Sequence, residues 1–236
     1  MEILIGEIIG TAILILLGNG VVANVVLNKS KGNSSGWIVI TFGWAIAVFV
    51  AVYCSARFSG AHLNPAVTLS LLMLGKISTG NTIFYLLGQF LGAFLGSTLV
   101  WLQYRPHYDE TEDKGGILAT FCTAPAIRNP VSNFISEFIG TFVLIFGILM
   151  IASPSSTLGS LDALPVALLV LGIGLSLGGS TGYAINPARD LAPRIAHFLL
   201  PIKNKGNSDW QYAWIPVVAP LTGSIFATLL YIMISK

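Results

Sequence analysis

Charge is what this sequence has least of. Asp, Glu, Lys and Arg together make up 9% of its 236 residues, where a soluble domain carries about 25%. That scarcity excludes an ordinary soluble domain, and a net charge of +2 does not point to a nucleic-acid partner. Cysteine is nearly absent. Cys54 and Cys122 have neither the pairing of a disulfide framework nor the spacing of a metal site. No metal ligand cluster and no nucleophile–base pair stands out, so neither a cofactor nor an enzyme is expected.

What the chain has in quantity is uncharged apolar length, with 54% hydrophobic residues. A membrane helix needs about 20 such residues to cross about 30 Å of hydrocarbon. Six stretches predict spans: Ile3–Leu27, Trp37–Ala56, Ile83–Tyr104, Phe134–Ala152, Ala163–Gly179 and Tyr212–Ile234. The fifth is the least sharply bounded, because the uncharged sequence runs on to Ala188. The first lacks a basic n-region and is longer than a signal-peptide core, so it is expected to stay in the protein.

Two further apolar stretches, Pro65–Leu74 and Pro187–Leu200, are too short to cross. Each follows a glycine-containing segment, Ser59-Gly60-Ala61 or Ser180-Thr181-Gly182. They predict re-entrant half-helices, because irregular backbone at membrane depth survives only where protein buries it or it lines a wet cavity.

The chain also repeats itself. Gly6-Glu7-Ile8-Ile9-Gly10-Thr11 returns as Ser136-Glu137-Phe138-Ile139-Gly140-Thr141, and Asn64-Pro65-Ala66 returns as Asn186-Pro187-Ala188. This divides a single domain, 1–236, into a first repeat over 1–104, a connecting loop over 105–131 and a second repeat over 132–236. Each repeat holds three spans and one half-helix. Three is odd, so the second copy enters the membrane from the other side, which predicts two inverted repeats with the special segments meeting near the midplane. In the connecting loop, Asp109, Glu110, Glu112 and Asp113 read as a solvated surface.

The triplet has its own chemistry. Asparagine is a favoured N-cap, and proline at the first helical position loses no hydrogen bond. The cap uses the side-chain oxygen, leaving the amide NH2 of Asn64 and Asn186 as donors toward a lumen. Ala66 and Ala188 are small enough for two helix tips to abut. Each tip carries roughly half a positive charge. Two tips facing each other oppose cations and protons while admitting small, neutral, hydrogen-bonding solutes.

The two segments, Ser59-Gly60-Ala61-His62-Leu63-Asn64-Pro65-Ala66-Val67-Thr68 and Gly182-Tyr183-Ala184-Ile185-Asn186-Pro187-Ala188-Arg189-Asp190, resemble the pore loops of the aquaporin superfamily. The resemblance covers essentially the whole chain. It implies an all-α membrane protein of six transmembrane helices plus two re-entrant half-helices, assembled as a homotetramer in the lipid bilayer with one pore per subunit. It implies a second constriction as well, whose four positions match Trp44, Gly174, Tyr183 and Arg189. Water-selective members typically hold histidine at the Gly174 position. Glycine there is expected to leave room, with Trp44 and Tyr183 offering an apolar wall and Arg189 its donors on the other side. That filter suits glycerol. Asp190, Arg194 and the Pro220-Leu221 pair also look like the glycerol-facilitator branch, whereas Tyr183 departs from the phenylalanine common there.

The expected activity is therefore passive diffusion of glycerol and water, with dihydroxyacetone or urea as further candidates and ions excluded. A water-selective channel is the alternative, disfavoured by Gly174. A secondary active transporter is also weighed, and it lacks ionisable residues at the half-helix tips. Glu7 and Glu137 are expected to brace the two pore loops. Gly60, Ala61, His62, Thr181, Gly182 and Ala184 are candidate lining residues, with His62 packed in its loop. The resemblance implies a multi-pass cell-membrane protein with cytoplasmic termini. The basic residues point the other way: only Arg57, Lys76 and Lys236, three of 12, would then lie inside.

Overall fold

The computed structural model describes residues 1–151 and 161–235; Ala152, the expected end of the fourth span, and Lys236 lie outside the described residues. Among the described residues, five helices are long and apolar enough to cross a membrane: α1 (Glu2–Val26), α2 (Trp37–Ser59), α4 (Thr79–Glu110), α6 (Pro130–Ile151) and α9 (Ile215–Ile234). The fifth expected span appears as α7 (Leu164–Leu177), a 14-residue helix about 21 Å long. The two half-helices are α3 (Pro65–Met73) and α8 (Pro187–Leu199). A short α5 (Lys114–Ala119) completes the order, and the described residues contain no strand.

One boundary departs from the expectation. The third span was expected to end at Tyr104, yet α4 continues through Pro106 to Glu110. Its 32 residues make it about 48 Å long, well beyond the hydrocarbon. Apolar length measures only what lipid requires, and here other groups hold the polar end of the helix. Asn28 donates to the Glu110 carbonyl at 3.0 Å, and Lys29 pairs with the Glu110 carboxylate. The Lys29 ammonium, hydrogen-bonded to it, holds the Glu110 carboxyl below its ordinary pKa. Less of the connection is therefore loop than 105–131 suggested, and α5 occupies part of it. Asp113 caps α5 by accepting from the Gly115 N–H at 3.0 Å. Beneath it Tyr108, Ile117 and Phe121 are fully buried, while Asp109, Glu110, Glu112 and Asp113 stay exposed.

The two halves pack alike. α1 lies against α2 and α4, as α6 lies against α7 and α9. α4 also holds α8 from the other half, as α9 holds α3. The α1–α4 approach depends on a glycine row. A Cβ at Gly92 would stand 2.5 Å from the Ile8 carbonyl oxygen, and one at Gly96 2.5 Å from that of Ala12. Small residues at this spacing let membrane helices close to backbone contact, where dispersion replaces the missing hydrophobic drive. Large apolar side chains such as Ile46, Leu91 and Phe226 face outward, as a hydrocarbon solvent allows.

The polar residues go inward instead. Glu7, Gln89, Asp190 and Arg194 are fully buried, and what they hold in place is the pair of half-helices.

Candidate functional site

Each half-helix starts as its triplet dictates. Asn64 Oδ1 accepts from the Ala66 N–H at 2.9 Å, and Asn186 Oδ1 accepts from Ala188 and Arg189 at 3.0 and 3.2 Å. Pro65 and Pro187 take the first helical turn. The side-chain NH2 groups were expected to point freely into a lumen, but each gives one hydrogen to the opposite loop. Asn64 Nδ2 donates to the Ile185 carbonyl at 2.9 Å, and Asn186 Nδ2 donates to the Leu63 carbonyl at 2.8 Å. A buried carbonyl needs a donor, and the facing asparagine is the one within reach. The second hydrogen of each NH2 remains for the cavity.

The backbone ahead of each triplet is strained in the same way twice. Ala61 and Leu63 sit at φ 52°, Tyr183 and Ile185 at φ 38° and 44°, and Gly60 and Gly182 at φ 77° and 81°. A non-glycine residue in this region costs about 1–3 kcal/mol, so something must hold it. Glu7 and Glu137 do. Glu7 accepts from the His62 N–H at 3.0 Å, the Leu63 N–H at 2.7 Å, the Ser59 hydroxyl at 2.6 Å and the Gln89 amide at 2.8 Å. Glu137 accepts from the Ala184 and Ile185 N–H groups, both at 2.9 Å. Thr181 turns its hydroxyl to Glu137 as well. The loop N–H groups are thereby drawn away from the lumen.

These loops line a cavity of about 280 Å³. Its lining includes the apolar residues Val48, Val52, Leu144, Ile148 and Val170. It also includes the polar Asn64, Asn186 and Arg189, together with Gly60, Ala61, His62 and Ala184. Thr181 and Gly182 are not among its lining residues. Pro65, Ala66, Pro187 and Ala188 are buried and form the abutting tips.

The four residues of the second constriction come together differently from the expectation. Trp44 and Arg189 do not face each other across a gap, because the guanidinium lies over the Trp44 ring, 4.3 Å from its centroid. A desolvated guanidinium gains from an aromatic face, and Arg189 Nη1 has no other protein partner. Gly174 does not open the lumen either. The space it vacates is filled by Tyr183, since a Cβ at 174 would stand 2.9 Å from Tyr183 Cζ and 3.0 Å from Thr41 Cγ2. Trp37 completes this packing: its indole donates to the Gly174 carbonyl at 3.0 Å and its ring meets Tyr183 edge-on at 5.8 Å. Tyr183 thus lines the cavity with Gly174 behind it, and its buried hydroxyl has no protein partner.

Behind α8 lies a buried ion pair. Arg194 donates to Asp190 at 2.8 and 2.9 Å and to the carbonyls of Thr123 and Ser208 at 2.8 and 2.7 Å. Asp190 also accepts from the Thr123 N–H and hydroxyl, at 2.7 and 2.6 Å. Lys205 closes the far end of α8, donating to the carbonyls of His197, Phe198 and Leu200 at 2.8, 2.7 and 2.6 Å. Burial lowers the Lys205 ammonium pKa from its ordinary value. Residues to which the sequence reading gave no role include Gln89, Thr68, Tyr85 and this apolar wall. Only the wall left a trace there, in the four-residue spacing of Trp44, Val48 and Val52 on α2.

Comparison with known proteins gives a consistent set of relatives. Residues 1–231 match the model of the family described as Major intrinsic protein. The chain is 58% identical over 231 residues to a glycerol uptake facilitator protein of Streptococcus pneumoniae, covering 98% of each. It is 42% identical over 228 residues to a D/L-lactic acid transporter of Lactiplantibacillus plantarum, covering 95% of this chain and 94% of that one. Among solved structures, the aquaglyceroporin from Plasmodium falciparum aligns with a TM-score of 0.87 at 32% identity, over 98% of this chain and 94% of that one.

Proposed function

The chain belongs to the major intrinsic protein family, and on that premise we propose that it conducts glycerol passively across the cell membrane, with water, through the cavity between its two half-helices. The observation that carries this is the cavity's mixed lining, apolar side chains together with a few polar groups. Glycerol has a CH edge and an OH edge. Val48, Val52, Leu144 and Ile148 suit the first, and Asn64, Asn186 and Arg189 suit the second. The second hydrogens of both asparagine amides are donors without protein partners, so a hydroxyl entering the collar replaces the water they would otherwise hold.

The same residues account for the exclusion of cations. The N-terminal ends of α3 and α8 meet around Asn64 and Asn186, and each brings about half a positive charge. Arg189 adds a full one. A hydrated cation would lose its water against three positive centres, whereas a neutral triol loses none of its hydrogen bonding. Glu7 and Glu137 act as braces, since drawing the loop N–H groups back leaves carbonyls to receive solute hydroxyls. Tyr183 tightens the collar from the side opposite Arg189. The outward apolar side chains of α1 and α2 supply the surface for a homotetramer, and the termini are assigned to the cytoplasmic side.

Purified protein in liposomes tests this by light scattering under glycerol and impermeant-osmolyte gradients, with an internal pH dye reporting protons. Rapid re-swelling in glycerol with no proton signal is the expected result. Water flow without glycerol entry, or glycerol accumulation driven by an ion gradient, would refute it.

A further inference from the structure

We propose that Thr68 is a positioning residue that holds His62 as its Nδ1–H tautomer, so that the imidazole presents an acceptor, Nε2, to the permeating solute. The geometry is a chain of hydrogen bonds running inward from the cavity. His62 lines the cavity and stacks flat on Tyr85, with ring centroids 3.9 Å apart and planes at 8°. Tyr85 is itself pinned by its hydroxyl, which donates to the Ser59 carbonyl at 2.7 Å. The imidazole therefore has a fixed plane, with Nδ1 3.1 Å from the Thr68 hydroxyl oxygen.

Hydrogen counting then selects the tautomer. Gln89 Nε2 donates to Glu7 Oε2 at 2.8 Å and to Thr68 Oγ1 at 2.9 Å. Glu7 already faces three other donors, so it acts as acceptor and fixes which end of the Gln89 amide is nitrogen. The amide spends both hydrogens, and one occupies a lone pair of Thr68. The threonine keeps one lone pair and one hydrogen for two neighbours, His62 Nδ1 and the Asn64 carbonyl, the latter 3.2 Å away. If His62 Nδ1 carries the proton, it donates to Thr68 while Thr68 donates to Asn64, and every valence of the hydroxyl is used. If Nδ1 is bare, Thr68 donates to it, and both the last lone pair and the bond to Asn64 are lost. The first arrangement has one bond more, worth about 0.5–1.5 kcal/mol inside a protein, and a histidine's tautomer follows the bond made by its other nitrogen.

The consequence rests on the channel reading above. The His62 and Leu63 N–H groups are already turned onto Glu7, so neither residue offers a backbone donor to the lumen. An acceptor imidazole keeps the same polarity, and a hydroxyl passing His62 donates to it with its oxygen left for Asn64 and Asn186.

Nitrogen-15 solid-state NMR of histidine-labelled protein in liposomes reads the tautomer directly, with His62→Asn identifying the signals. The expected spectrum has a protonated, pyrrole-type Nδ1 and a bare, pyridine-type Nε2 in the wild type. Thr68→Val should move the proton to Nε2, and Thr68→Ser should leave it on Nδ1. A wild-type Nε2–H signal, or a tautomer indifferent to Thr68→Val, overturns the proposal; Thr68→Ala, which removes the same hydroxyl, decides in the same way if the valine variant does not fold. These signals do not depend on transport, so an absence of glycerol flux with the expected spectrum counts against the transport reading alone.

Discussion

Gly174→Ala puts the collar to its sharpest test, because the smallest side chain there has nowhere to go. Its Cβ would lie 2.9 Å from Tyr183 Cζ, 3.1 Å from the Tyr183 hydroxyl oxygen and 3.0 Å from Thr41 Cγ2. Ordinary contact begins at 3.4 Å, so the phenol ring has to give by about half an ångström. Gly178 packs on the same ring from the same face of α7 and Trp37 meets it edge-on, so the displacement is away from that helix. The free direction is toward the cavity and Arg189. Overpacking of this kind costs about 1–3 kcal/mol. If a barrier of about 1.4 kcal/mol falls on glycerol passage, its rate drops about tenfold. Water is smaller and should lose no more than about twofold by the same displacement, an order-of-magnitude expectation. Light-scattering rates for both solutes on matched liposomes give the ratio. Equal proportional losses, or an unchanged ratio, would refute the idea that Tyr183 occupies the space Gly174 vacates.

Three more variants separate the other parts of the site. Tyr183→Phe removes a buried hydroxyl with no protein partner, so thermal stability in detergent should hold or rise; a loss of about 1 kcal/mol would reveal a partner after all. Glu137→Gln sets an NH2 group against a backbone N–H at Ala184 or Ile185 and should cost about 2–4 kcal/mol, read as a lowered unfolding midpoint together with lost glycerol flux. A stable but transport-dead protein would instead make Glu137 a conduction residue. Lys205→Met strips three carbonyls of their ammonium and should cost about 1 kcal/mol. Faster amide exchange confined to the last turn of α8 is the expected signature, and unchanged exchange there would show that water replaces the lysine.

Much of this was legible in the sequence because it is written in local, repeated signals. Asn64 and Asn186 announce helix starts through capping chemistry, and Glu7 and Glu137 stand out because carboxylates are rare in apolar stretches. What stayed hidden depends on which surfaces meet. Gly174 reads as open space until Tyr183, nine residues on, is seen to fold back into it. Arg189 reads as one wall of a filter until the Trp44 face is found beneath it. Gln89 and Thr68 are common polar residues on helices, and only the closeness of α1, α3 and α4 makes them a network. The end of α4 escaped for a different reason: hydropathy reports where lipid stops, while Asn28, Lys29 and Asn204 decide where the helix stops.

The crossed asparagine bonds also bear on how the molecule is made. Asn64 and Ile185 are 121 residues apart, and Leu63 and Asn186 are 123 apart. At about 5–20 residues per second of synthesis, the first loop is built roughly 6–24 s before the groups that complete it exist. During that interval the Asn64 amide must donate to water or a headgroup oxygen and the Leu63 carbonyl must accept from water, so the first half-helix cannot reach its final depth alone. Whichever loop is made first waits, and the two settle together as one late step of assembly in the membrane.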